Sequence, residues 1–119
     1  MKTTVSRALL PLALTLSTLA LAVPASAGPG ARSVNVVMTD YKFSPSTVRV
    51  ARGAVTFNVV NRGKAVHDLK IAGRKTPLYA SGRGGTLRVT FKKAGRYPFV
   101  CTVPGHVAAG MKGTLTVAG

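Results

Sequence analysis

Residues 97–117, YPFVCTVPGHVAAGMKGTLTV, constrain the fold more than any other stretch of this sequence. Apolar and polar side chains alternate along 96–101 and again along 111–117, which predicts two β-strands. The intervening residues 102–110 are rich in proline, glycine and alanine and are expected to form a loop. The stretch therefore predicts a hairpin whose long loop can direct several side chains to one point.

Three side chains of this hairpin are soft or borderline metal ligands. Cys101, His106 and Met111 follow a C-x4-H-x4-M pattern and offer a thiolate, an imidazole and a thioether. Copper suits this set, because it favours two histidines and one cysteine in a trigonal arrangement with a weak, long axial methionine. His67 is the only other histidine in the chain and would be the fourth ligand.

Other uses of these residues remain open at this point. Taken singly, each has a structural explanation, such as a buried thiol or a core methionine. Zinc also accepts a cysteine and two histidines, and a Cys–His nucleophile would leave Met111 without a role. An enzyme with several copper ions would need further histidines or a second cysteine, which the chain lacks. We therefore expect a protein that is not an enzyme, with Met38 in the core rather than at the metal.

The hairpin and an upstream segment together resemble a known family. Residues 41–71, YKFSPSTVRVARGAVTFNVVNRGKAVHDLKI, contain an N-x-G-x-x-x-H pattern that resembles the first-histidine region of the cupredoxins, the type 1 (blue) copper proteins such as plastocyanin and azurin. The resemblance covers residues 33–119. It implies a Greek-key β-sandwich with one copper ion near one end. The ligand set that it implies is His67, Cys101, His106 and Met111.

The resemblance also implies a function, a protein that transfers single electrons between redox partners by cycling between Cu(II) and Cu(I). Electrons would pass at His106, whose ring edge would reach the surface inside an apolar ring formed by Pro104, Val107, Ala108 and Ala109. The alternative is a copper-binding or copper-delivery protein without a redox role. Asp68 departs from many family members, which have an asparagine after the first histidine. It is expected to accept similar backbone hydrogen bonds and to affect the reduction potential.

The first 27 residues are typical of a secretory signal peptide. Lys2 and Arg7 form a basic beginning, an apolar stretch comes next, and Ala25-Ser26-Ala27 fits a cleavage site between small residues. The apolar stretch is shorter than the roughly 20 residues that a membrane-spanning helix needs. We therefore expect a periplasmic or secreted protein, with residues 28–32 as a short linker before a domain at 33–119.

The chain is strongly basic, with 17 lysines and arginines against two acidic residues and a net charge of +15. Cleavage after residue 27 would leave +13. The cations are scattered over turns and strand ends and do not alternate with aromatic residues, so nucleic-acid recognition is not expected. One explanation is that they keep the surface solvated. The other is that they attract an anionic partner, either a redox protein with an acidic docking surface or, more loosely, an anionic membrane. A monomer is expected.

Seven or eight short strands separated by turn residues, without any helical periodicity, predict an all-β sandwich. Val34, Val36 and Met38 are expected to share one buried face of the first strand. Residues 72–85 contain four glycines and a proline and are expected to form an irregular loop.

Overall fold

A computed structural model describes residues 31–119 without a break, together with residues 3, 4, 8, 11, 13 and 15. The predicted signal peptide lies largely outside the described residues and stays a prediction. Nine strands form the domain, which confirms the all-β prediction with one strand more than expected. They are β1 (Ala31–Thr39), β2 (Lys42–Ser44), β3 (Thr47–Ala51), β4 (Gly53–Asn61), β5 (Lys70–Ile71), β6 (Arg74–Lys75), β7 (Gly84–Phe91), β8 (Gly95–Val100) and β9 (Lys112–Ala118). Within the described part of the chain, no helix has the length and apolar character required to cross a membrane.

The strands form two sheets. The first has the order β2-β1-β4-β7 and the second the order β3-β9-β8-β5-β6. Most neighbours are antiparallel, but β1 runs parallel to β4 and β3 runs parallel to β9. Parallel neighbours require connections that leave the sheet and return, so the chain crosses repeatedly between the two layers.

The core lies between the two sheets and matches the period-two pattern of the sequence. Val34, Val36 and Met38 of β1 are buried, as predicted, and so are Phe57 and Val59 of β4. Each large apolar side chain that is removed from water contributes about 1.5–3 kcal/mol to folding.

Aromatic contacts join the two layers. The rings of Phe43 in β2 and Phe99 in β8 meet edge to face, with their centroids 5.2 Å apart, although the strands belong to different sheets. Such pairs contribute about 0.5–1.5 kcal/mol beyond the area that they bury. They hold together the two sheets that supply the site residues.

Strand boundaries differ from the prediction in two places. Strand β1 begins at Ala31 and so includes the last two residues of the segment predicted as a linker. Residues 72–85 are not wholly irregular, because β6 lies within them and β7 begins at Gly84. The short hairpin of β5 and β6 turns at Ala72 and Gly73, which both have positive φ, a conformation that the sequence pattern did not reveal.

Strand pairing brings distant segments to one end of the sandwich. In the second sheet, Val100 at the end of β8 pairs with both Lys70 and Lys112. In the first sheet, Met38 of β1 pairs with Asn61 of β4. The two strands are parallel, so the segments that follow them leave the sheet side by side at the same end of the sandwich.

Candidate metal centre

The loop between β8 and β9 is closed by backbone hydrogen bonds between the residues predicted as ligands. The N–H of Cys101 donates to the carbonyl oxygen of Met111 at 3.2 Å, and the N–H of Met111 donates to that of His106 at 3.0 Å. Gly110 has a φ of 111°, which a residue with a side chain rarely adopts. The C-x4-H-x4-M spacing therefore corresponds to a compact loop that returns the chain to its starting point.

His67 lies between β4 and β5 and is held through its backbone. Its N–H donates to the carbonyl oxygen of Tyr79 at 3.2 Å, and the N–H of Tyr79 donates back at 2.8 Å. The buried Asn61 side chain donates to the carbonyl oxygens of Ala65 and Tyr79, each at 2.8 Å, and accepts the N–H of Gly63. The N-x-G-x-x-x-H segment is thus a turn that is tied from inside by its own asparagine.

The structure brings together the cysteine and both histidines. The Nδ1 atoms of His67 and His106 are 3.2 Å apart, and the Sγ atom of Cys101 lies 3.9 Å from the first and 3.5 Å from the second. For metal–ligand bonds of about 2.0–2.3 Å, three donors in a plane around one ion are separated by about 3.5–3.7 Å. The three atoms therefore fit a trigonal site, and their chemistry suits copper.

Met38 and Met111 are both fully buried, with no exposed surface. Met111 comes directly after the loop and is bonded through its backbone to Cys101 and His106. Met38 lies inside β1, in the other sheet, as expected of a core residue. These contacts place the Met111 backbone beside the cysteine and one histidine of the site, and its role as the fourth ligand stays a prediction.

Cys101 is only 1% exposed, and burial raises the pKa of its thiol above the ordinary value of 9.0. Burial has this effect because it disfavours the charged thiolate. A metal that binds through this sulfur must therefore displace the thiol proton, and the cation then compensates the buried negative charge.

Asp68 joins the two ligand segments. Its carboxylate is fully buried and accepts hydrogen bonds from the backbone N–H of Thr102, at 2.6 Å, and from the Thr102 hydroxyl. Thr102 is the next residue after Cys101, and Asp68 is the next residue after His67. The expectation that an aspartate here accepts backbone hydrogen bonds is therefore confirmed.

Asp40 was not identified from the sequence. Its Oδ1 atom lies 2.7 Å from Nε2 of His67, and the carboxylate also accepts the backbone N–H groups of Lys64 and Ala65. The pKa of this carboxyl is lowered below its ordinary value of 3.8. The main cause is the hydrogen bond from the backbone N–H of Lys64, and the hydrogen bond from His67 has a smaller effect. Asp40 lies just after β1, and the turn at 62–67 lies just after β4. Because β1 and β4 are parallel neighbours, Asp40 and this turn leave the sheet at the same end. A prediction of this pairing could have revealed the contact between Asp40 and His67.

At the surface, His106 is half-buried and lies in a loop that also carries exposed apolar residues. Pro104, Val107, Ala108 and Ala109 are exposed, as the resemblance implied. Tyr41 was not expected here. It is 44% exposed, and its ring meets that of His106 edge to face, with the centroids 4.8 Å apart.

Comparison with known proteins agrees with this geometry. The family model described as a cupredoxin-like domain matches residues 10–117. The chain belongs to this family. Among curated proteins, it is 32% identical over 117 residues to the copper-resistant cuproprotein CopI of Rubrivivax gelatinosus, and the match covers 79% of this chain and 71% of that protein.

Solved structures share the cupredoxin fold. Dithionite-reduced auracyanin from Roseiflexus castenholzii superposes with a TM-score of 0.69 and 22% identity over 76% of this chain and 99% of that one. Auracyanin A, a blue copper protein from Chloroflexus aurantiacus, has a TM-score of 0.67 and 19% identity over 75% of this chain and all of that one. The family, the fold and the donor chemistry all agree on copper as the cofactor of this cupredoxin.

Proposed function

We propose that this cupredoxin carries single electrons between redox partners outside the cytoplasm, with copper held by His67, Cys101, His106 and Met111. The observation that carries the proposal is the convergence of two imidazole nitrogens and one thiol sulfur within 4.8 Å of one another, from two separate segments of the chain. Bound copper supplies a Cu(II)/Cu(I) couple for one-electron transfer.

The fixed positions of the donor residues favour electron transfer. His67 and Cys101 are buried and held by hydrogen bonds, and Asp68 connects their segments through Thr102. A site that is held in this way changes little between oxidation states, and a small rearrangement means a low barrier. A protein that releases its copper to a recipient has no need of such rigidity.

The surface around His106 supports contact with a redox partner. His106 is the half-buried donor residue, and exposed Tyr41, Val66 and Val107 extend the apolar area near the site. Small apolar areas of this kind suit weak and brief complexes. The exposed cations around the domain favour a partner with an acidic docking surface, and they also suit loose association with an anionic membrane. The carrier acts as a monomer in this proposal.

A second candidate is a protein that binds or delivers copper without passing electrons. The relative that is 32% identical bears the name copper-resistant cuproprotein, which favours a role in copper tolerance. The two candidates share the same four ligands and differ in the fate of the bound copper, which is either kept as an electron carrier or released to a recipient. An enzyme is disfavoured because both histidines of the chain are used by this one site.

Copper loading of the protein without residues 1–27 tests the site. We expect an intense blue colour and an EPR spectrum with narrow copper hyperfine splitting, which arise from a copper–thiolate bond. Cys101→Ser removes the sulfur and should abolish the colour. A colourless wild-type protein after addition of cupric salt, or a blue Cys101→Ser variant, would contradict the assignment.

Two measurements distinguish the candidates. A carrier should show reversible one-electron voltammetry and rapid electron exchange, and it should retain Cu(I) against a competing chelator. A delivery protein should lose Cu(I) rapidly to the same chelator. Fast release together with slow electron exchange would favour the second candidate while leaving the copper site intact.

A further inference from the structure

His67 is the donor residue whose ring contacts protein groups on both of its nitrogen atoms. Its Nδ1 faces Cys101 and His106, while its Nε2 lies 2.7 Å from Oδ1 of Asp40. The ring itself has no exposed surface, whereas the Asp40 side chain is 27% exposed. An ionised carboxylate can only accept hydrogen bonds, so this contact places a proton on Nε2, and in the neutral ring the lone pair of Nδ1 then points to the metal position.

We propose that Asp40 is the positioning residue of the copper site, which fixes the tautomer and orientation of His67 and adds a negative charge behind the ring. The inference rests on the proposed function and deepens it. A histidine that binds a metal through one nitrogen gains basicity and a fixed orientation when the other donates to a carboxylate. The added charge should also favour Cu(II) over Cu(I).

Asp40 is itself held in place. The N–H of Lys64 donates to Oδ2 at 2.9 Å, and the N–H of Ala65 donates to Oδ1 at 3.1 Å. The carboxylate therefore accepts three hydrogen bonds from the 64–67 segment, of which the bond from His67 is one. A group fixed by two backbone donors can fix a third partner, because it cannot rotate away without losing them.

Gly63 makes room for this arrangement. A Cβ atom at this position would lie 2.4 Å from Oδ1 of Asp40 and 2.9 Å from Nε2 of His67. Both distances are shorter than carbon–oxygen and carbon–nitrogen contacts allow, so any side chain would push the two groups apart. The glycine of the N-x-G-x-x-x-H pattern is thus required by the contact between Asp40 and His67 and not only by the turn.

The distribution of acidic residues points the same way. Asp40 and Asp68 are the two acidic residues of the whole 119-residue chain. One contacts a donor imidazole, and the other joins the segments that carry His67 and Cys101. A very basic chain that keeps both of its carboxylates beside one site uses them to offset the charge of a bound cation.

Two substitutions of Asp40 separate orientation from charge. In Asp40→Ala the ring loses its partner, and we expect Cu(II) affinity to fall about 10–100-fold, with a changed EPR spectrum. Asp40→Asn keeps an oxygen that accepts the Nε2–H and the N–H of Ala65, but it removes the charge and the acceptor for the N–H of Lys64. It should therefore restore the wild-type spectrum and most of the affinity, while the ratio of Cu(I) to Cu(II) affinity rises.

Asp68→Asn and Gly63→Ala complete the set. The first removes the other negative charge without contacting an imidazole, so it should raise the Cu(I)-to-Cu(II) affinity ratio and leave the spectrum unchanged. The second keeps Asp40 but displaces it, and its effect combined with Asp40→Ala should be less than additive.

An Asp40→Ala variant with the wild-type spectrum and the wild-type Cu(II) affinity would overturn the proposal. Equal losses in Asp40→Ala and in an Asp40→Asn variant whose His67 keeps the Nε2–H tautomer would reduce the role of Asp40 to its charge and would also overturn the proposal.

A readout without metal separates this inference from the proposed function. Nitrogen NMR of the metal-free wild-type protein should show His67 as the Nε2–H tautomer, with a slowly exchanging proton that is lost in Asp40→Ala. A mixed tautomer in the wild type would overturn the positioning role whether or not copper binds. A fixed tautomer in a wild-type protein that gives no blue copper signal would instead overturn the proposed function alone.

Discussion

At the scale of single residues, the site depends on what each side chain can donate. Cys101 supplies the sulfur, and its burial keeps the thiol protonated until a cation arrives. The two methionines show why residue type alone is insufficient. Met38 and Met111 are equally buried. Met38 lies within β1, whereas the backbone of Met111 is hydrogen-bonded to Cys101 and His106, two of the predicted metal ligands.

This pair provides a matched prediction. Met111→Leu removes a thioether that donates electron density to the oxidised ion, so the reduction potential should rise and the visible spectrum should change. Met38→Leu makes the same substitution in the core and should leave both unchanged. Each should cost less than about 1.5 kcal/mol of stability, because leucine conserves the volume. Cyclic voltammetry and denaturant unfolding provide the measurements, and equal potential shifts in the two variants would contradict an axial role for Met111.

At the scale of elements, the site is formed where strands end. Backbone pairing of β8 with β5 and β9 brings the Asp68 and Thr102 segments side by side. Asp68 then joins them by accepting two hydrogen bonds from Thr102, one from its backbone N–H and one from its hydroxyl. The connection between the two ligand segments therefore depends on one buried carboxylate.

Removing this carboxylate should separate the segments. Asp68→Ala leaves the N–H and hydroxyl of Thr102 without their partner, and we expect the metal-free protein to lose about 1–3 kcal/mol of stability. Asp68→Asn should retain most of that stability, because its amide accepts the N–H and donates to the hydroxyl. Urea unfolding of both variants in the absence of copper tests this. An alanine variant as stable as the asparagine variant would show that the carboxylate does not hold the segments.

At the scale of the whole molecule, charge is distributed very unevenly. All fifteen lysines and arginines in residues 31–119 are exposed. Over the same residues, no lysine or arginine forms a salt bridge with either carboxylate. The surface cations are therefore all available to external anions, and the field of the domain should attract an acidic partner from a distance.

Two arginines at opposite ends of β4 test this attraction. Arg62 lies just after β4 at the end that carries the site, and Arg52 precedes it at the other end. Arg62→Glu should slow association with an acidic redox partner more than Arg52→Glu, although both change the net charge equally.

For the wild type, raising ionic strength from about 0.01 to 0.15 M should slow association about tenfold or more, because screening shortens the range of the field. Stopped-flow rates that are independent of salt would contradict the attraction without affecting the copper site.

The sequence by itself determined the all-β fold, the faces of the main strands and the residues whose donor chemistry suits copper. Period-two alternation and turn residues are local signals, and a chain with two histidines and one cysteine leaves few ways to build such a site. Tertiary structure alone decided that Asp40 contacts His67 and that Tyr41 lies against His106. The first contact arises because β1 pairs in parallel with β4, which brings together two residues 27 positions apart that share no local pattern. The second contact joins the turn after β1 to the loop between β8 and β9, 65 positions further along the chain.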